Sequence, residues 1–204
     1  MVNTITTIDA TGFQPWPLDL QGWGGNHPIF SDLINKIKPN LIIEVGTWKG
    51  QSAINMARNL KKTNPQGKIY CVDTWLGAVE FWDTLNNAER SLNQKFGYPQ
   101  IYYQFLSNCI HENVLDVIIP FPTTSSIASK YFKAKQIKAD MVYVDASHDE
   151  VDVLQDIQNY LPLVNHGGVL FGDDYCTFTG VREAVNKSGN KFEVIDERYW
   201  VIKV

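Results

Sequence analysis

A chain of 204 residues, 44% hydrophobic and 20% charged, has enough apolar side chains for one domain with a sizeable core. Its formal net charge of −4 excludes a general nucleic-acid binder, which needs a basic face to meet phosphates, and no stretch approaches the ~18 consecutive apolar residues of a membrane span. The start, MVNTITTIDATG, lacks the basic-then-apolar order of a secretory signal, and Cys71, Cys109 and Cys176 show neither CxxC nor disulfide spacing. The expectation is a cytoplasmic protein with reduced thiols.

The chain reads as a single unit over 1–204, without internal repeat, low-complexity tract or linker. Residues 1–40 form an N-terminal lid and helix segment. Its first part is irregular around Pro15, Pro17, Gly22, Gly24 and Gly25, with Trp23 and His27 as candidate lid residues. A short helix follows His27-Pro28 on Ile29, Phe30, Leu33, Ile34 and Ile37, and Lys38-Pro39-Asn40 ends it. Residues 41–45 are an apolar strand closed by Gly46, and 52–60 carry Ala53, Met56, Ala57 and Leu60 at helical spacing. KIYCVD at 68–73 is a second strand. Residues 74–116 are an insertion on the substrate side, rich in aromatics: Trp75, Phe81, Trp82, Phe96, Tyr98, Tyr102, Tyr103 and Phe105. These rings suit either stacking on a sugar or aryl ring or the core of two helices.

Strands at 117–121, with Pro120 as a weakness, at 141–145 and at 169–172 follow. Val151, Leu154, Ile157 and Leu161 mark a helix, 178–188 another, and KFEVID with RYWVIKV an antiparallel pair turning at Glu197-Arg198. Apolar strands alternating with helices predict an α/β, doubly wound, Rossmann-like sheet of seven mostly parallel strands, ending in the antiparallel pair. Such sheets bind ligands beyond the carboxyl ends of their strands. Here those ends carry acids, which are poor strand residues: Glu44, Asp73, Asp145 and the doublet Asp173-Asp174.

In EVGTWKG the glycines Gly46 and Gly50 let backbone N–H groups approach a ligand, and Asp73 lies 27 residues after Gly46. A carboxylate there accepts from both hydroxyls of a ribose. The spacing is GxxxG and not the GxGxxG of a dinucleotide site, and Glu44 would oppose a pyrophosphate. A cationic ligand with an adenosine end, S-adenosylmethionine, fits better. A tight strand–helix turn with a solvated Asp73 is the plainer alternative.

Through EVGTWKGQSA, CVDTW, YVDASHDE and GGVLFGDDY the chain resembles the small class I methyltransferases that use S-adenosylmethionine. It is similar to macrocin-type sugar O-methyltransferases and to metal-dependent catechol-type enzymes. The resemblance implies that Glu44, Gly46 and Gly50 line the methionine and sulfonium region, with Thr47 and Ser52 of the same turn among the cofactor contacts. It implies Asp73 at the ribose and Thr124 or Ser125 of PTTSS near adenine, where a plain helix cap is the alternative.

Asp145 and the doublet end neighbouring strands, which lie about 4.8 Å apart. Three anions there raise one another's pKa or need a cation, and oxygen donors suit Mg²⁺ first, with Ca²⁺ or Mn²⁺ as alternatives. The offsets of 28 and 29 residues from Asp145 to Asp173 and Asp174 match those of the catechol-type ligands, with Asp174 replacing an amide. The bland reading makes one of the pair a helix cap and the other a solvated acid. Ser147 with Glu150 reads as a capping box, which places His148 in the first helical turn and keeps its imidazole neutral. His148, or Asp145 through a water, then removes the proton of an acceptor hydroxyl; a mere surface histidine is the alternative. The expected activity is metal-assisted O-methylation of a small hydroxylated acceptor such as a sugar, with a homo-oligomer left open. A non-catalytic nucleotide-binding module is the competing reading, and the missing GxGxxG disfavours a dehydrogenase.

Overall fold

The computed structural model describes residues 8–82 and 91–204, so 1–7 of the N-terminal segment and 83–90 of the insertion lie outside the described residues. Five parallel strands, β1 (Leu41–Val45), β2 (Lys68–Asp73), β3 (Ile118–Pro122), β4 (Ala139–Val144) and β5 (Val164–Gly172), join an antiparallel pair, β6 (Glu193–Ile195) and β7 (Tyr199–Lys203). Their order is β3-β2-β1-β4-β5-β7-β6, the doubly wound sheet expected. Strand order reverses between β1 and β4, the point where such sheets leave a crevice. No helix among the described residues is long and apolar enough to cross a membrane.

Alternation along each strand divides the core. Ile42, Ile69, Met141 and Phe171 pack under α1 (Pro28–Ile37), α2 (Gln51–Thr63) and α3 (Ile101–His111). Ile43, Val72, Val142 and Leu170 pack under α4 (Ser125–Ala134), α5 (Glu150–Tyr160) and α6 (Thr179–Lys187). The N-terminal segment is not loose. Asp19 N donates to Asn108 Oδ1 at 3.0 Å, Gln51 Nε2 to Leu20 O at 2.9 Å, and Lys49 pairs with Asp19 at 2.8 Å.

Two expectations are corrected. Strand β5 begins at Val164 and not at 169, because Asn165 to Gly168 continue the strand through an irregular register opposite Ala139 and Met141. Gly168 is needed there, since a Cβ would lie 2.4 Å from Asp140 O. The capping box does not form: Ser147 Oγ donates to Asp152 and accepts from Asp149 N, and helix α5 starts at Glu150 after Asp149 as N-cap. His148 therefore precedes the helix and is not in its first turn. Of the two readings left open for the rings of the insertion, Trp75 and Phe105 take the core one, tilted against each other with ring centroids 5.0 Å apart, whereas Phe96 is fully exposed.

Candidate functional site

Sheet register builds the site. Val72, Val45, Val144 and Gly172 lie side by side across four parallel strands. The next residue on each strand is Asp73, Gly46, Asp145 and Asp173, so one row of the sheet delivers three acids and a glycine to one rim. A cavity of about 640 Å³ opens above that row. Its wall contains the expected Gly46, Thr47, Ser52, Asp73, Thr124 and Ser125 at one end, and Asp145, His148, Asp173 and Asp174 at the other. That volume suits a cofactor and a small acceptor together.

The β1–α2 loop is strained where it must be. Gly46 has φ +89°, and a Cβ on it would sit 2.1 Å from Asp145 O, so the first strand end can lie against the fourth only without a side chain. Gly50 also has a positive φ, and its missing Cβ makes room for Phe105. The loop closes on Asp73. Thr47 N and Trp48 N both donate to Oδ2 at 2.8 Å, and Trp75 N donates to Oδ1 at 2.7 Å. Burial raises the Asp73 pKa against the pull of these N–H groups.

Glu44, expected to line the cofactor region, is not part of the cavity wall. It shares the strand face of Ile42, so its side chain lies beneath helix α2, fully buried, one layer below the cavity. There it accepts from Thr47 Oγ1 at 2.8 Å and from Ser52 Oγ at 2.5 Å. Burial pushes its pKa up to about 7, opposed by those hydroxyls and assisted by the charge of Asp73. Thr124 is the N-cap of α4, its hydroxyl accepting from Ile127 N, while still facing the cavity.

At the other end the acids crowd. Asp145 accepts from Tyr143 Oη at 2.9 Å, and burial, then Asp173, then Asp174 hold its pKa well above the usual carboxylate range. Asp174 adopts φ +66°, which turns it away from Asp173 and toward His148, whose Nε2 lies 3.2 Å from its Oδ2. The imidazole stacks on Phe178 at 3.9 Å, and its Nδ1 lies 3.7 Å from Glu80. One donor atom each from Asp145, His148 and Asp174 falls within 4.8 Å of the others, so these three could hold a cation.

Asp173 departs from the expected ligand set. Arg198 Nε and Nη2 take its two oxygens at 2.6 and 2.7 Å, and Asp174 N takes one of them as well. Sequence reasoning missed Arg198, Glu80 and Phe178, none of which ends a parallel strand. Trp23, a candidate lid residue, and Phe81, one of the insertion's aromatics, both line the cavity, with ring centroids 6.1 Å apart.

A family model described as a methyltransferase domain matches residues 43–175, well over half of the chain. No curated protein matches it. Among solved structures, an O-methyltransferase from Bacillus cereus in complex with S-adenosylhomocysteine (SAH) aligns with a TM-score of 0.60 and 14% identity, over 93% of this chain and 84% of that one. The O-methyltransferase TomG from Streptomyces achromogenes, involved in tomaymycin synthesis and solved with S-adenosylmethionine (SAM), aligns with a TM-score of 0.61 and 15% identity, over 91% and 83%. At such identities the likeness is one of fold.

Proposed function

The chain belongs to the methyltransferase-domain family, and from that premise we propose that it transfers a methyl group from SAM to a hydroxyl of a small acceptor, assisted by a divalent cation. One observation carries the proposal: a single cavity joins the Gly46–Asp73 cradle to the carboxylates of Asp145 and Asp174, with His148 beside them.

In this reading Asp73 accepts from the ribose hydroxyls and the Gly46 to Trp48 backbone embraces the methionine end. Glu44 acts from below by fixing Thr47 and Ser52, and its charge favours the cationic cofactor. Thr124 and Ser125 face the adenine end. Asp145 and Asp174 hold the cation, Mg²⁺ or Mn²⁺ by their oxygen chemistry, with His148 beside them. When bound, such a cation lowers the pKa of an acceptor hydroxyl and fixes its place. His148 receives the acceptor's proton, and the carboxylates of Asp174 and Glu80 on either side of the ring stabilise the imidazolium. Trp23, Phe81 and Phe178 offer apolar faces to the acceptor and exclude water. The N-terminal segment serves as the lid over that end.

The test is a screen of hydroxylated sugars and phenols with methyl-labelled SAM, with and without chelator. Transfer to oxygen that chelator abolishes and Mg²⁺ or Mn²⁺ restores is the expected result. Cofactor binding that yields no product on any acceptor, and that survives alanine at Asp145 and Asp174, would favour a non-catalytic module. Chelator-insensitive transfer would remove the cation from the reading and leave the transferase.

A further inference from the structure

The hairpin that ends the chain sends one side chain into the cavity wall. Arg198 follows Asp196 and Glu197, both in the left-handed region, which turn the chain between β6 and β7. Its planar guanidinium meets Asp173 with two parallel bonds, the arrangement that uses both carboxylate oxygens at once. Asp173 is only 3% exposed, so this is a built pair and not a solvated surface contact.

The same Nη2 of Arg198 also lies against the N-terminal segment. A Cβ on Gly24 would come 2.3 Å from Arg198 Nη2 and 2.9 Å from Tyr199 Oη. Tyr199 Oη donates to Gly24 O at 2.9 Å, and its ring lies 4.7 Å from that of His27. His27 Nε2 is in turn 3.2 Å from Asp196. The strap of residues 22–27 thus rests on the hairpin turn, and Gly22, Trp23 and Gly25 of that strap are cavity wall.

We propose that Arg198 is a positioning residue of the active site: its fork withholds Asp173 from the cation donors, and the same guanidinium, packed against Gly24, seats the strap over the cavity. The first half rests on the cation reading above; the second does not. Strand register puts Asp173 directly beside Asp145, so without a fixed partner it would be the neighbouring carboxylate on offer to a cation. The fork turns that carboxylate into a bridge between sheet and strap. Gly24 is required because Arg198 occupies the space its side chain would need.

Arg198→Met tests both halves. Mn²⁺ titration followed by electron paramagnetic resonance, without cofactor, reads the first: freeing Asp173 adds a charged donor and tightens binding by about tenfold. Hydrogen exchange reads the second through the amides of Gly25 and His27, which are bonded to Gln51 Oε1 and Gly24 O. These amides should exchange about tenfold faster. Calorimetric SAM affinity should stay within about threefold, since the Gly46–Asp73 cradle is untouched. Arg198→Lys keeps the charge without the fork and should fall between on both readouts; it also serves if Arg198→Met does not fold. Tyr199→Phe should quicken the strap amides and leave Mn²⁺ binding unchanged.

Weaker or unchanged Mn²⁺ binding overturns the first half, and unchanged strap exchange overturns the second. A parallel loss of SAM affinity would mean that Arg198 supports the fold at large, which overturns both. If neither wild type nor variant binds Mn²⁺, the cation reading fails, and strap exchange alone decides the positioning role.

Discussion

The two ends of the cavity use the same residue type in opposite ways. At the β1–β2 end, Asp73 and Glu44 are surrounded by donors: three backbone N–H groups on one and two hydroxyls on the other. At the β4–β5 end, Asp145 lies among further carboxylates and has one hydroxyl donor, Tyr143. The first end is complete in itself and holds a fixed shape. The second gathers carboxylates with few donors, which raises the Asp145 pKa, and Arg198 pairs with Asp173. An acid at a strand end is thus either enclosed by donors or left in a crowd of like charges, according to what the next loop brings to it.

The largest expected effect breaks the join between the two ends. Gly46→Ala places a methyl group against Asp145 O at a positive φ and should cost on the order of 3 kcal/mol in stability, with loss of SAM binding. Thermal unfolding and calorimetry measure both; a stable, SAM-binding variant would show that the ends are not in contact as described.

Next, Asp73→Ala strips the partner from three N–H groups. It should weaken SAM binding about 100-fold and lower stability by about 2 kcal/mol. The matching change at the other end has the opposite sign for stability. Asp145→Asn removes one charge from the crowd and keeps an acceptor for Tyr143, so stability should rise by about 1 kcal/mol while Mn²⁺ affinity falls about 30-fold. Destabilisation by Asp145→Asn would place it with the satisfied acids and erase the contrast.

The smallest effect is a pH dependence. Glu44 is raised in the folded protein to about 7 by burial, so the fold penalises its charged form. Native protein then holds a proton that the unfolded chain releases, and stability declines as pH rises from the ordinary carboxyl range to about 7, then levels off. Because a cationic cofactor favours the ionised form, SAM affinity should rise several-fold as pH rises through about 7. Glu44→Gln should flatten both trends, as denaturant titrations and calorimetry over that range will show.

Much of this was legible in the sequence, for definite reasons. Acids closing apolar runs stood out at Asp73, Asp145 and Asp173-Asp174, and strand alternation fixed the register that gathers them. The hairpin turn at Glu197-Arg198 was equally plain. Glu44 lies off the cavity wall, as its parity with Ile42 already implies by putting it on the α2 face. The position of His148 was misread because the Ser147 hydroxyl accepts from Asp149 N, two residues on, and not from Glu150 N, three residues on, a choice between two neighbouring donors. Arg198 gave no signal, since its partner lies 25 residues earlier on another strand and only the folded sheet brings them together.

In the proposed arrangement cofactor and cation share one rim, with Asp173 held apart. Anomalous diffraction from a crystal grown with SAH and Mn²⁺ decides it. SAH should lie over Gly46 with its ribose on Asp73, and a manganese peak should be bound by Asp145 and Asp174 while Asp173 stays on Arg198. A peak bound by Asp173, or SAH lying outside this cavity, would contradict it.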